Sequence, residues 1–187
     1  MTKLLEFRGS DGRPVRADLH EAGADAPTVL VAHGFKGFRR WGFFPYFAET
    51  LQAAGLNALR FDFSHNGVEK RDFDRLDLFL LDTWTRHQED LRAVVDAIAS
   101  RGPIGILGHS RGATDAILYA AADPRVRAVA AFAPVADLER GFEEPEDILR
   151  EIGFFPIENQ RTKQVMPVAR TQFDDARLHD PIRSAKA

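Results

Sequence analysis

The sequence Gly-His-Ser-Arg-Gly at 108–112 places a hydroxyl side chain between two glycines. It follows an apolar run, Ile104–Leu107, and opens a helical pattern, Arg111–Ala122. A strand that turns sharply into a helix exposes the side chain at the bend, and the glycines let the two elements approach closely. The helix N-terminus also favours developing negative charge. The pattern therefore predicts that Ser110 is a nucleophile, on a turn shaped by Gly108, His109 and Gly112.

A second strand-to-loop exit lies about seventy-five residues upstream, where Val29–Ala32 leads into His33-Gly34-Phe35. Acyl transfer needs two N–H donors that point at the oxyanion of the tetrahedral intermediate. One donor comes from the residue after the nucleophile, Arg111, and the other from a loop after an earlier strand, here at Phe35. The other interpretation of this loop is a turn with a structural histidine.

Short apolar runs alternate with helical patterns through most of the chain, which predicts βαβ units and a mostly parallel α/β sheet flanked by helices. The N-terminal residues 4–19 alternate around a Gly-rich turn and predict a β-hairpin. Phe43, Phe44 and Phe47 are expected on the buried face of the first helix. The predicted strands are Val29–Ala32, Ala58–Phe63, Ile104–Leu107 and Val126–Phe132, and the predicted helices are Phe43–Ala54, Thr83–Ala99 and Arg111–Ala122.

The composition argues against several other functions. The 187 residues carry 25 Lys and Arg against 28 Asp and Glu, a net charge of −3, which gives no bulk attraction to nucleic acid or anionic lipid. There is no cysteine, and the six histidines lack metal-ligand spacing, so no metal site is predicted. The longest apolar stretch, Ala128–Ala136, is shorter than the ~18 residues of a membrane span. No signal peptide is visible, so we expect a cytoplasmic protein.

With both loops considered together, the chain resembles serine hydrolases of the α/β-hydrolase fold, closest to their dienelactone-hydrolase-like and serine-aminopeptidase-like branch. The resemblance extends over essentially the whole chain and depends most on the 108–112 turn and the His33-Gly34 loop. It implies a small-molecule acyl substrate with an ester, thioester or amide bond. It also implies a serine nucleophile and no cofactor.

The same resemblance implies an acid and a base that follow the nucleophile in the order Ser, Asp, His. Chain order leaves Asp137, just after the strand Val126–Phe132, and His179 as the pair available for these roles. The other interpretation of His179 is the residue that precedes a helix start at Asp180-Pro181.

The remaining histidines are predicted to have structural or surface positions. His109 neighbours Ser110 and is expected to pack against other residues, because adjacent side chains diverge at a tight turn. His20 and His87 are expected on the surface, on the hairpin and on a helix respectively.

The last fifty residues depart from the strand–helix alternation. A short acidic helix is predicted over Glu143–Ile152, but no further buried strand, because Val165–Val168 is short and contains proline. We expect a single domain over 1–187, in which 137–187 form a cap-like or pre-strand helical segment and the C-terminal strands of the fold are missing. Val126–Phe132 would then be an open sheet edge, unless the tail folds over it.

Two functions remain open from the sequence. The first is the serine hydrolase described above, with little or no turnover from these 187 residues alone, since an unactivated serine hydroxyl is a weak nucleophile. The second is a non-catalytic, hydrolase-like protein that binds a ligand or a partner. An in-frame continuation of the gene encoding Asp- and His-bearing strand loops would exclude the second.

Overall fold

The computed structural model describes residues 2–139 and 146–187. Within them, six strands form one sheet and two more form a separate antiparallel pair. The strands are β1 Thr2–Arg8, β2 Pro14–His20, β3 Thr28–Ala32, β4 Asn57–Phe61, β5 Ile104–His109, β6 Val126–Phe132, β7 Phe154–Glu158 and β8 Val165–Ala169. The helices are α1 Phe44–Ala53, α2 Leu76–Phe79, α3 Trp84–Ile98, α4 Arg111–Ala122, α5 Glu146–Ile152, α6 Arg170–Ala176 and α7 Pro181–Ser184.

The main sheet has the order β1-β2-β4-β3-β5-β6. Strands β4, β3, β5 and β6 are parallel, and the N-terminal hairpin joins them antiparallel beside β4. Successive residues of β3 face opposite sides of the sheet: Leu30 packs in the same cluster as α3 and α4, and Val31 packs with α1. Helices therefore cover both faces, as buried parallel strands require. This confirms the predicted α/β class.

Helix α3 illustrates why the sequence folds in this way. Thr83 caps its N-terminus by accepting a hydrogen bond from the N–H of Arg86 over 3.3 Å. Its buried residues recur with helical spacing and face the sheet. They are Trp84, His87, Asp90, Leu91, Val94, Val95 and Ile98.

The register of the two central strands positions the loops that follow them. Strand β3 pairs with β5 in parallel, and Ala32 lies opposite Gly108. The carboxyl ends of the two strands therefore meet at the same edge of the sheet. The loop that begins at His33 and the turn at Ser110 leave this edge side by side.

Strand β6 lies at the edge of the main sheet, where it pairs with β5. Val126 is buried, whereas Phe132 at the other end is 48% exposed. The described part of the tail contacts α2, α3 and α4, and every residue of β6 after Val126 is exposed. The expected open edge is thus present within the described residues.

The prediction of no strand after β6 is wrong. Val165–Ala169 forms β8 and pairs antiparallel with β7. Met166 and Val168 alternate onto a fully buried face, which gives the short strand a core of its own. Pro167 lies opposite Pro156, so both residues without an N–H share one rung of a two-stranded sheet, where edge strands tolerate proline.

Three helices complete the tail. The predicted helix over Glu143–Ile152 is present as α5, and residues 143–145 lie outside the described residues. Helix α7 begins where the sequence predicts, with Asp180 Oδ1 accepting the N–H of Arg183 over 2.9 Å. Among the residues described, no helix is long and apolar enough to cross a membrane.

Candidate active site

Ser110 lies on the sharp turn between β5 and α4. Its backbone has φ 53° and ψ −121°, a conformation that a residue with a Cβ adopts only under strain. Its N–H donates to the carbonyl oxygen of Phe132 over 2.8 Å, which ties the turn to β6. A Cβ at Gly108 would collide with the backbone of Gly112, and one at Gly112 would collide with the carbonyl oxygen of His33. The close approach inferred from the sequence is therefore present.

The loop after β3 lies directly against this turn. A methyl group at Gly34 would stand 3.0 Å from the carbonyl oxygen of His109 and 3.2 Å from Ser110 Cβ. Gly37 N–H closes the loop by donating to Gly34 O over 2.9 Å, and Phe35 occupies the second position of that turn. Phe35, Ser110 and Arg111 line one cavity of about 230 Å³. The structure thus brings together the predicted nucleophile and both predicted donor residues.

His33 holds the loop from inside the protein. Its Nε2 accepts the N–H of Phe63 over 3.3 Å, and its Nδ1 lies 3.0 Å from the carbonyl oxygen of Gly34. These partners suit a neutral ring with the proton on Nδ1. Burial lowers the pKa of His33, in keeping with that neutral form. His33 is therefore a structural histidine that orients the Gly34 peptide.

Two acidic residues anchor the rest of the same loop to the sheet. The Asp62 carboxylate accepts the backbone N–H of Arg39 over 2.6 Å and also pairs with the Arg39 guanidinium. Arg40 makes a two-pronged contact with Asp18, at 2.8 and 2.9 Å. From β4, Arg60 donates to the carbonyl oxygen of Arg39 over 2.8 Å. Charged hydrogen bonds of this kind hold a loop in one geometry.

A buried chain of four charged groups begins at Arg111, the residue after Ser110, and extends into the core. Arg111 Nη1 donates to Asp82 Oδ2 over 2.8 Å, and the other oxygen of Asp82 lies 2.8 Å from His87 Nε2. His87 Nδ1 lies 2.7 Å from Asp115 Oδ2. The His87 ring also stacks on Phe63, with 3.6 Å between ring centroids. With His87 protonated, two cations and two carboxylates balance within the core.

The prediction of a surface position for His87 is wrong. The residue is 3% exposed, because it lies three residues after Trp84 and four before Leu91, on the sheet-facing side of α3. That spacing is the sequence signal that identifies it. Burial alone would lower the pKa of His87, but the flanking carboxylates of Asp82 and Asp115 raise it to about 9.

His20 is also buried, contrary to the sequence prediction. It ends β2 where the antiparallel pairing with β4 covers it, and its Nε2 lies 3.0 Å from Arg60 Nη2. Burial and the Arg60 cation lower the pKa of His20.

Phe44 is buried as expected for α1, but Phe43 is 37% exposed at the helix start. His109 packs edge-on against Phe43, as its predicted packing role requires.

Of the two residues offered as acid and base, one lines the Ser110 cavity and the other does not, although both line a neighbouring surface cavity. Asp137 lines the Ser110 cavity, and its Oδ1 accepts the N–H of Glu139 over 3.1 Å. His179 Nε2 instead lies 3.1 Å from Thr85 Oγ1 and 3.6 Å from Asp175. Of the described residues that line the Ser110 cavity, none is a histidine. The structure brings Asp137 to Ser110 but does not bring His179 there.

Two further residues of the cavity were not singled out by the sequence. Trp84, at the start of α3, stacks under the Arg111 guanidinium, whose carbon lies 4.6 Å from the ring centre. Gln172 on α6 is 4% exposed and faces the same space. Neither belongs to a sequence motif; Trp84 lies on α3, and Gln172 reaches the cavity on the tail helix α6. Elsewhere in the described ranges, no group of three or more acidic or histidine side chains is arranged to hold a metal ion.

Comparison with known sequences gives a family match over most of the chain. The family model described as "Serine aminopeptidase, S33" matches residues 24–175. The thiohydrolase aneE of Aspergillus aculeatus is 28% identical over 156 residues, which are 79% of this chain and 46% of aneE. The thiohydrolase apmlB of Arthrinium phaeospermum is 27% identical over 154 residues, 78% of this chain and 47% of apmlB. The chain thus spans about half the length of these curated relatives.

Solved structures share the same fold. The α/β hydrolase GrgF from a Penicillium species superposes with a TM-score of 0.76 at 20% identity, over 98% of this chain and 75% of GrgF. At this level of identity, the likeness concerns the fold.

Proposed function

Since the chain belongs to the serine aminopeptidase family of hydrolases, we propose that Ser110 is its nucleophile and that it cleaves carboxylic ester, thioester or amide bonds. The observation that carries this proposal is the meeting of Ser110, on its strained turn, with Phe35 and Arg111 at one cavity. Relatives named thiohydrolases favour a thioester among the three bonds.

In the proposed reaction, Ser110 Oγ forms a bond to the carbonyl carbon of the substrate as its proton passes to a base. Negative charge develops on the carbonyl oxygen, and the main-chain N–H groups of Phe35 and Arg111 donate to it. Collapse of the tetrahedral intermediate expels the alcohol, thiol or amine, which takes up a proton. Water then cleaves the acyl-serine and releases the acid.

Arg111 suits the donor role because it is the first residue of α4. The first N–H groups of a helix have no acceptor within the helix, and they carry the positive end of its dipole. The Arg111 side chain donates to Asp82 in the core. The Asp82 contact thus fixes the position of Arg111, and the Arg111 N–H is available to a ligand in the cavity.

Among the described residues that line the cavity, there is no histidine to act as the base. We therefore expect slow acylation from the 187 residues alone, and acceleration by a small base that can enter the cavity. The test is to incubate the chain with a fluorophosphonate, with and without imidazole, and to map the modified residue by mass spectrometry. The expected result is labelling at Ser110 that imidazole accelerates and that Ser110→Ala abolishes. Ser64→Ala, at a buried serine beside His65, is the matched control and should retain the label.

The donor at Phe35 is tested by Phe35→Pro. Proline fits the second position of a turn, and this substitution removes the N–H together with the phenyl ring. A lost oxyanion donor costs about 100- to 1000-fold in rate. Phe35→Leu keeps the N–H while it alters the ring contact with Phe79, so it should label far faster than the proline variant. A chain that no fluorophosphonate modifies at Ser110, even with imidazole, would support the non-catalytic binding protein instead.

A further inference from the structure

The wall of the Ser110 cavity combines four apolar and four polar residues. Its apolar members are Phe35, Trp84, Val135 and Leu138, and its polar members are Ser110, Arg111, Asp137 and Gln172. The volume of about 230 Å³ is below the usual range for pockets that hold a drug-sized ligand, ~300–1000 Å³. The cavity therefore suits a short acyl group.

Gln172 is the unusual member of this wall. Its side chain is 4% exposed, faces the cavity, and makes no hydrogen bond to another residue in the described part of the chain. The two polar atoms of this amide are not sealed from the cavity, so water or a ligand there can reach them. Such a group is expected where a ligand completes its hydrogen bonds.

The position of Gln172 is fixed by its helix. On the same helix, α6, the Asp175 carboxylate accepts a hydrogen bond from the N–H of Thr85 in α3 over 2.9 Å. Ala176 packs with Trp84, Leu118 and Leu138 in a buried cluster. The amide is thus carried on a helix that is anchored to α3 and α4.

The charges around the cavity favour a neutral ligand over an anion. The charge of the Arg111 guanidinium is balanced by Asp82, and its face is stacked on Trp84; its Nε and Nη2 have no hydrogen-bond partner among the described residues but are buried away from the cavity space. Asp137 adds a carboxylate to the lining. Among the described residues that line the cavity, Arg111 is the one cation, and Asp82 already balances it, so a carboxylate on the substrate would add to the negative charge of Asp137. An amide side chain can donate to or accept from an uncharged oxygen.

We propose that Gln172 is a specificity-determining residue that binds a neutral oxygen, such as a ketone or hydroxyl, on the acyl group of the substrate. The inference rests on the proposed function, since it takes the Ser110 cavity as the acyl site. An acyl chain with such an oxygen would place its carbonyl at Phe35 and Arg111 and its second oxygen at Gln172. A plain hydrocarbon chain would leave the amide unsatisfied.

The test measures binding, so that it does not depend on turnover. Trp84 lines the cavity and Trp41 is the other tryptophan of the chain, so Trp41→Phe leaves one fluorescent reporter. Three neutral probes, 3-oxobutanamide, 4-oxopentanamide and 5-oxohexanamide, are each compared with the methyl-branched amide of the same shape, namely 3-methylbutanamide, 4-methylpentanamide and 5-methylhexanamide. At least one oxo amide should bind about 3- to 10-fold more tightly than its counterpart, as expected for one net hydrogen bond.

Gln172→Leu should reduce that ratio to about one, with Gln172→Met as a second apolar variant if the first unfolds. Gln160→Leu, at an exposed position, is the matched control and should keep the ratio. The proposal is overturned if all three ratios equal one in the parent chain, if the preference survives both Gln172 variants, or if no probe changes Trp84 fluorescence. Gln172-dependent binding without Ser110 labelling would contradict the proposed hydrolase chemistry alone, and labelling without a ketone preference would contradict this inference alone.

Discussion

Arg111 donates from its guanidinium to Asp82 over 2.8 Å, and both side chains are almost completely buried. The residue that follows the candidate nucleophile is therefore held by an ion pair in the core. Asp82 in turn connects it to His87 and Asp115. The stability of the protein and the placement of one proposed oxyanion donor thus depend on the same contact.

Asp82→Asn should strongly destabilise the fold, because it leaves Arg111 and protonated His87 with one carboxylate between them. Removal of one partner from a buried ion pair costs roughly 3–5 kcal/mol in the free energy of unfolding. Urea denaturation at neutral pH measures the change. Asp77→Asn, which breaks an exposed pair with Arg75, is the matched control and should leave the midpoint almost unchanged. Equal effects of the two substitutions would contradict the role assigned to the buried pair.

Stability should fall as the pH rises towards 9. The pKa of His87 in the folded protein is about 9, although burial alone would lower it, because Asp82 and Asp115 raise it; in the unfolded chain it is about 6.5. A raised histidine pKa contributes stability that is complete below the unfolded pKa and is lost as the pH passes through the folded value. Urea denaturation between pH 6.5 and 9.5 measures this slope, and His87→Gln should flatten it. An unchanged slope in that variant would show that another group titrates.

Gly34→Ala should slow Ser110 labelling at least tenfold. The added methyl group would press on the His109 carbonyl oxygen and on Ser110 Cβ, which shifts the loop that carries Phe35. Overpacking of this kind also costs about 1–3 kcal/mol of stability, measurable by thermal unfolding. Gly23→Ala meets only an ordinary contact of 3.9 Å with Ala26 and serves as the control. Normal labelling by the Gly34 variant would place the reactive geometry elsewhere.

Local patterns were sufficient to predict the central sheet and the turn at Ser110. The run Ile104–Leu107 and the helix Arg111–Ala122 each carry a periodicity set by burial of one face or of both. The predicted α4 has the observed bounds, and β5 extends two residues further than predicted. These elements depend on neighbouring residues in the chain, so the sequence contains enough information to identify them.

The residues that were missed depend on contacts between distant segments. The spacing on α3 buries His87, but the carboxylates that pair with it lie five residues before it and twenty-eight after it. Gln172 reaches the cavity because α6 docks on α3, and β8 exists because β7 pairs with it. The polarity of His87 favours a surface position, and Pro167 argues against a strand, when the residues that pair with them are not known.

The pairing of Ala32 with Gly108 in β3 and β5 has a consequence for how this protein can change over evolutionary time. Insertions beyond the ends of these strands alter the shape and breadth of the entrance. An insertion or deletion within either strand would move Phe35 away from Ser110 by about 3.3 Å per residue. Variation in length should therefore accumulate in the connecting segments, while the two strands keep a constant number of residues.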